Sequence, residues 1–287
     1  MEQNQRNNKE MKLSIITINY NNALGLRKTI ESVFVQTFHD FEYIVVDGDS
    51  SDGSIDIIKS IDPSIQPSFQ WISEPDTGIY NAMNKGLRMA KGEYVHFLNS
   101  GDWLVDSRVV EKMIIALDDN DILVGNVISV RPDGKVRYKK NTKEVSLVTF
   151  YRSTIEHTSA YIKRSLFDQY GLYDESLKIV SDWKWYMTVA GLHNAKVGFT
   201  DTYVTYFDMT GISSTNLKLD KAERRKVLEE LIPKSILADY DRYAFDIDQM
   251  ERIKRYPFFY HIVWFIERCL FKLDKWERKS CGWKKMS

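Results

Sequence analysis

Cysteine is nearly absent from these 287 residues: Cys269 and Cys281 are the two present, too few for a disulfide framework and without the paired spacing of a zinc site. Both read as reduced thiols. An excess of charge is missing as well, because 40 basic and 40 acidic side chains cancel, and with it goes the electrostatic signature of a nucleic-acid binder. No apolar run approaches the ~20 residues that span a bilayer, and the polar opening MEQNQRNNKE has no apolar signal core. A cytoplasmic chain is the expectation. Two phosphate-binding patterns are also lacking: no GxGxxG follows the first strand candidate, and Gly48 to Gly53 has P-loop glycine spacing but Ser54 where the lysine must stand.

What is present is a regular alternation. Leu13 to Ile18 reads as a fully buried strand, Leu26, Ile30, Val33 and Phe34 follow at helical spacing, and Tyr43 to Val46 is a second apolar run stopped by Asp47. The pattern repeats through a helix carrying Ile55, Ile58 and Ile61, a strand at Phe69 to Ile72, a helix carrying Ile79, Met83 and Leu87, and a strand at Tyr94 to Leu98. Such alternation predicts an α/β fold with a mostly parallel central sheet flanked by helices. Ligands then bind beyond the carboxyl ends of the strands. Those ends carry Asn19-Tyr20, Asp47, Glu74-Pro75-Asp76 and Asn99-Ser100-Gly101-Asp102.

Beyond Asp102 the pattern becomes mixed: a helix with Val109, Val110, Met113 and Leu117, a long strand Ile122 to Val130, and a hairpin turn at Pro132-Asp133-Gly134. A strand from Ser159 to Ile162 opened by His157, a helix beginning near Asp182 and a strand from Lys196 to Tyr206 follow, with Gly211 to Ser214 as the exit. We therefore expect a lead (1–11), a catalytic domain (12–215) whose halves meet at 104/105, and a helical extension (216–287).

Four segments in order carry a resemblance: SIITINYNN at the first strand, QTFHDFEYIVVDGDSSDGS around the second, KGEYVHFLNSGDWL at the fourth and YGLYDESLKIVSDWKWY later. Over about residues 12 to 210 the chain resembles family 2 inverting glycosyltransferases of GT-A fold, and ISEPDTGIYNAMNKGL resembles the bacterial capsule and exopolysaccharide members. The resemblance implies a hexosyl transfer from a UDP-sugar to a glycan or lipid-linked acceptor. It places Tyr20 against the uracil, with Asn19 beside it, and makes Asp47 the acceptor for the ring N–H; an ionised carboxylate only accepts, so it selects a base edge that donates. Asp47 as a cap of the next helix is the alternative, although Asp52 or Ser51 stands closer to that helix.

Asp102 matches the last acid of the family's DxD motif and so implies a Mn²⁺ or Mg²⁺ ion on the diphosphate; Asn99 and Gly101 replace the other acids. At Met83-Asn84-Lys85-Gly86 the position of the family's arginine is Met83, and Lys85 is the candidate for the missing charge, or a solvated lysine. Asp76 stands where it can contact ribose or sugar, or cap a helix. Asp182 matches the second acid of the family's Glu-Asp pair, the catalytic base, with Ser181 at the first position and Glu175 and His157 as substitutes for the role. His157 and Trp183 are acceptor-side candidates, an ordinary histidine and a core tryptophan being the bland readings.

From 256 to 287 aromatic residues adjoin Arg268, Lys272, Lys275, Arg278, Lys279, Lys284 and Lys285. That segment suits contact with the inner face of a membrane, docking on the catalytic domain, or a homo-oligomer contact. Two other functions compete: a sugar nucleotidyltransferase, which would carry a glycine-rich loop after the first strand, and a glycan-binding protein that has lost catalysis. Retention of Asp47, Asp102 and Asp182 argues for the enzyme.

Overall fold

A computed structural model describes residues 11–62, 68–141 and 144–280. The polar lead up to residue 10, and Cys281, Lys284 and Lys285, lie outside these. Two compact units divide the chain, Met1–Leu231 and Ile232–Ser287, so the first continues sixteen residues past the pattern change at 215.

In the first unit, β1 (Leu13–Asn19) is buried along its whole length, as an apolar strand covered on both faces must be. Helix α1 (Ala23–Phe34) is capped by the Asn22 side chain, which accepts from the Gly25 N–H. It leads to the equally buried β2 (Phe41–Asp47), then α2 (Ser54–Lys59), β3 (Phe69–Ser73), α3 (Ile79–Met89) and β4 (Tyr94–Phe97). These four strands pair in the order β3-β2-β1-β4, all parallel. Side chains alternate between faces. Leu13, Ile15, Tyr43 and Val45 pack with Leu26, Ile30, Val33 and Ile58 of α1 and α2, while Ile16 and Val46 meet α3 at Gly86 on the other face.

The sheet continues with mixed direction, as the change in pattern predicts. The short β5 (Trp103–Leu104) and α4 (Val109–Ala116) precede β6 (Ile122–Val130), which forms an antiparallel hairpin with β7 (Val136–Lys139) across the Pro132-Asp133-Gly134 turn. Helix α5 (Leu147–Arg152) and a 3₁₀ turn (His157–Ser159) lead into β8 (Ala160–Lys163), which pairs antiparallel with β4 and β6. Helices α6 (Ser165–Tyr170) and α7 (Ser181–Tyr186), the latter continued by a π turn, are followed by β9 (Val197–Asp208), parallel to β6. Helices α8 (Ile212–Thr215) and α9 (Leu217–Leu231) close the unit. His157 thus stands in a turn before β8, not in the strand, because the strand ladder starts only at Ala160.

The second unit holds α10 (Lys234–Lys254) and α11 (Pro257–Ser280). Among the described residues no helix is long and apolar enough to cross a membrane.

Candidate functional site

A cavity of about 1010 Å³ opens beyond the ends of β1, β2 and β4 and is bounded across the cleft by the turn before β8, the start of α7 and the end of β9. Its lining includes Asn19, Tyr20, Gly48, Asp76, Asn99, Asp102, His157, Asp182 and Asp208. Strand register builds the first wall, since Asn19 lies beside Asp47 and Asp47 beside Ser73.

That register decides what Asp47 does. Its carboxylate is fully buried and accepts from Asn19 Nδ2 at 2.7 Å, the Ser50 N–H at 2.9 Å and Ser73 Oγ at 2.7 Å. Burial pushes its pKa up, but these donors outweigh it and hold the group below the usual carboxylate range. Asp47 therefore ties three strand ends together, and the cavity lining includes its neighbour Gly48 but not Asp47 itself. Gly48 lines the cavity, and a Cβ there would meet Asp76 Oδ2 at 2.5 Å and the Tyr20 ring at 3.1 Å. Asp76 and the two-thirds exposed Tyr20 so converge over a bare backbone, with Asp76 steadied by the Gly78 N–H on Oδ1 at 2.9 Å. Asn19 gives both amide hydrogens to Asp47 and Ser50, leaving Oδ1 without a partner.

Asn99 to Asp102 turn the chain at the end of β4, with Gly101 at φ 104°, a left-handed conformation suited to glycine. Asp102 is 4 % exposed and accepts the Asp208 N–H on Oδ1 at 2.8 Å. Burial pushes its carboxyl up to about 7, and the nearby charge of Asp208 adds to this. Asp102 and Asp208 both line the cavity, and a hard divalent cation there would offset the burial that disfavours the ionised Asp102. Among the described residues no cluster of three or more His, Cys, Asp or Glu could hold a metal, so the remaining ligands would have to be diphosphate oxygens and water, an arrangement natural to Mg²⁺ or Mn²⁺.

Asp182 stands in the first turn of α7, after the N-cap Val180, so it is not the helix cap. Tyr80 at the start of α3 donates to its Oδ1 at 2.7 Å, and His157 Nδ1 lies 3.3 Å from Oδ2. Burial alone would raise Asp182; the hydrogen bond and charge of His157, with Tyr80, outweigh it and lower the pKa. For His157, burial opposes the cation, but Asp182, Asp102 and Glu156 raise its pKa. The two shifts come from one contact, each partner favouring the charged form of the other. On its other nitrogen His157 faces Asn99 Nδ2 at 3.4 Å.

Three candidates are placed elsewhere. Lys85 binds the Pro75 carbonyl at 2.8 Å and Glu74 at 3.0 Å, serving the loop that carries Asp76, because its helical face turns to that loop. Trp183 is buried, with Nε1 donating to the Phe150 and Ser153 carbonyls, and is core. Glu175 accepts from Asn81 and Asn84 and is not among the residues that line the cavity. Two residues escaped the sequence reading. Asp208 ends β9, and the strand-end rule applied to that strand would have found it; Tyr80 bears no local signal of its approach to a residue 102 positions away.

Residues 14–176 match the family model described as Glycosyl transferase family 2. A glycosyltransferase of Rickettsia typhi is 28 % identical over 229 residues, covering 75 % of this chain and 70 % of that one. Among solved structures, Staphylococcus aureus TarS in complex with UDP-GlcNAc superposes with a TM-score of 0.61 at 19 % identity, over 78 % of this chain and 69 % of that one. A mannosyltransferase from Pyrobaculum calidifontis in complex with GDP-Man and Mn²⁺ gives 0.56 at 17 %, over 76 % and 63 %. At such identities the likeness is one of fold, and it is the expected GT-A architecture that is shared.

Proposed function

Since the chain belongs to glycosyl transferase family 2, we propose that it moves a sugar from a UDP-sugar to a glycan or lipid-linked hydroxyl, with inversion, as a step in bacterial polysaccharide assembly. The observation that carries this is the gathering, in one cavity, of Asp182, held below the usual carboxylate range, with the buried Asp102 and the half-buried Asp208.

The nucleobase lies against Tyr20, and its ring N–H donates to Asp76, the carboxylate that stands over Gly48. A carboxylate acceptor favours uracil or guanine over cytosine; the UDP-GlcNAc complex of TarS supports uracil. Asp102 and Asp208 would hold the divalent cation, whose contribution is to offset the charge of the departing diphosphate. Asp182 takes the proton of the acceptor hydroxyl as its oxygen bonds to the anomeric carbon. The bond from that carbon to the β-phosphate oxygen breaks, and its electron pair leaves with UDP. Tyr80 and His157 fix the orientation of Asp182 and keep it unprotonated.

Calorimetry of UDP binding tests the cation site. Wild-type protein should bind UDP more tightly with Mn²⁺ or Mg²⁺ present, and Asp102→Ala should abolish the difference; equal UDP affinity with and without metal would refute the assignment.

A further inference from the structure

Helix α11 leaves large apolar side chains in solvent, with Phe258 72 % and Phe265 65 % exposed. At about 100° per residue, Phe258, Phe259, Ile262, Phe265, Ile266 and Leu270 fall on one arc about 140° wide. All six are exposed. On the same wheel Arg268, Lys272 and Lys275 form a strip about 60° wide that adjoins one edge of the arc. The Arg268 guanidinium lies 4.5 Å from the Trp264 ring centroid at the outer side of that strip, while the exposed Phe271 falls outside the arc.

We propose that α11 lies in the plane of an anionic bilayer surface, its apolar arc among the upper acyl chains and Arg268, Lys272 and Lys275 against lipid phosphates. A contiguous exposed apolar face calls for cover. The bordering bases identify the cover as negatively charged, and an aromatic-rich arc beside an Arg-Trp contact is the composition of an interfacial helix. Insertion across the bilayer is not involved, because no described helix has the required apolar length. This inference rests on α11 alone and not on the donor or the catalytic residues.

Vesicle flotation of the full chain tests it, using phosphatidylcholine alone and phosphatidylcholine with one part in three phosphatidylglycerol. The wild type should float with the anionic vesicles at roughly tenfold lower lipid than with neutral ones, and added salt should weaken this binding. Phe258→Ser/Phe265→Ser and Arg268→Glu/Lys272→Glu should each reduce flotation by roughly tenfold, with helix content by circular dichroism and UDP affinity unchanged. The proposal is overturned if the wild type floats with neither vesicle, or if both double variants float as it does. It is equally overturned if the apolar double variant only converts a dimer to a monomer in sedimentation equilibrium, which would make a second copy the cover. Failure of UDP binding with flotation intact would count against the donor assignment and leave α11 at the membrane.

Discussion

At the scale of single residues, two acids at adjacent strand ends differ in what surrounds them. Asp47 carries three internal donors and Asp76 faces the cavity, so the two substitutions should have different signatures. Asp76→Ala should lower UDP affinity about tenfold, the scale of one hydrogen bond to a charged acceptor, and flatten the ranking of UDP, GDP and CDP in a competition assay. Asp47→Ala leaves buried donors unmatched and should cost about 1–3 kcal/mol of stability in urea denaturation. If Asp47→Ala alters base ranking in a protein of wild-type stability, the proposed reading of the base by Asp76 is wrong. The strand-end rule located both acids, yet which carboxylate stays open depends on Ser73, from a strand 26 residues away. Local sequence holds no record of that pairing.

At the scale of elements, strands legible as apolar runs were found nearly to the residue, and Ile122–Val130 is β6 as read. Less was legible where elements meet. Glu223 of α9, in a stretch that reads only as a charged helix, is 9 % exposed and accepts the Lys178 and Ile179 N–H groups at 2.8 and 2.9 Å. The Ile179 carbonyl also lies within hydrogen-bond distance of the Tyr80 hydroxyl, whose single proton it shares with Asp182. Helix α9 thereby anchors the segment that presents Asp182, which is why the first unit runs through it. Glu223→Ala should lower stability by about 1–3 kcal/mol and reduce kcat while leaving UDP affinity intact, whereas Glu223→Gln should recover part of both. Unchanged denaturation by urea for Glu223→Ala would remove α9 from this role.

For the whole molecule, the cavity's charge has a cost that shows as a pH dependence. Burial raises Asp102 from the ordinary 3.8 to about 7 in the folded state. Between these values the folded state binds the extra proton, so stability falls as pH rises from about 4 to about 7 and the loss is complete above that range. Without metal, Asp102→Asn should melt higher than wild type at about pH 8 and nearly together with it at about pH 4. An equal difference at both pH values would show that Asp102 is ionised throughout. The α/β class and the ends of the first four strands were legible because apolar periodicity is local. The carboxylate pair, the Tyr80 contact and the turn that carries His157 were not, because they exist only after β9, α3 and β8 have closed on the sheet.

The central proposal is that Asp182 is the base for transfer from a UDP-sugar. The direct measurement is transfer from a panel of UDP-hexoses to acceptors in a bacterial lipid and glycan extract, comparing wild type with Asp182→Asn, alongside UDP affinity by calorimetry. The amide keeps the shape of the carboxylate but accepts no proton. Asp182→Asn should bind UDP as the wild type does and lose transfer by roughly 10²-fold or more. Transfer at the wild-type rate by Asp182→Asn, with UDP binding intact, would contradict the account.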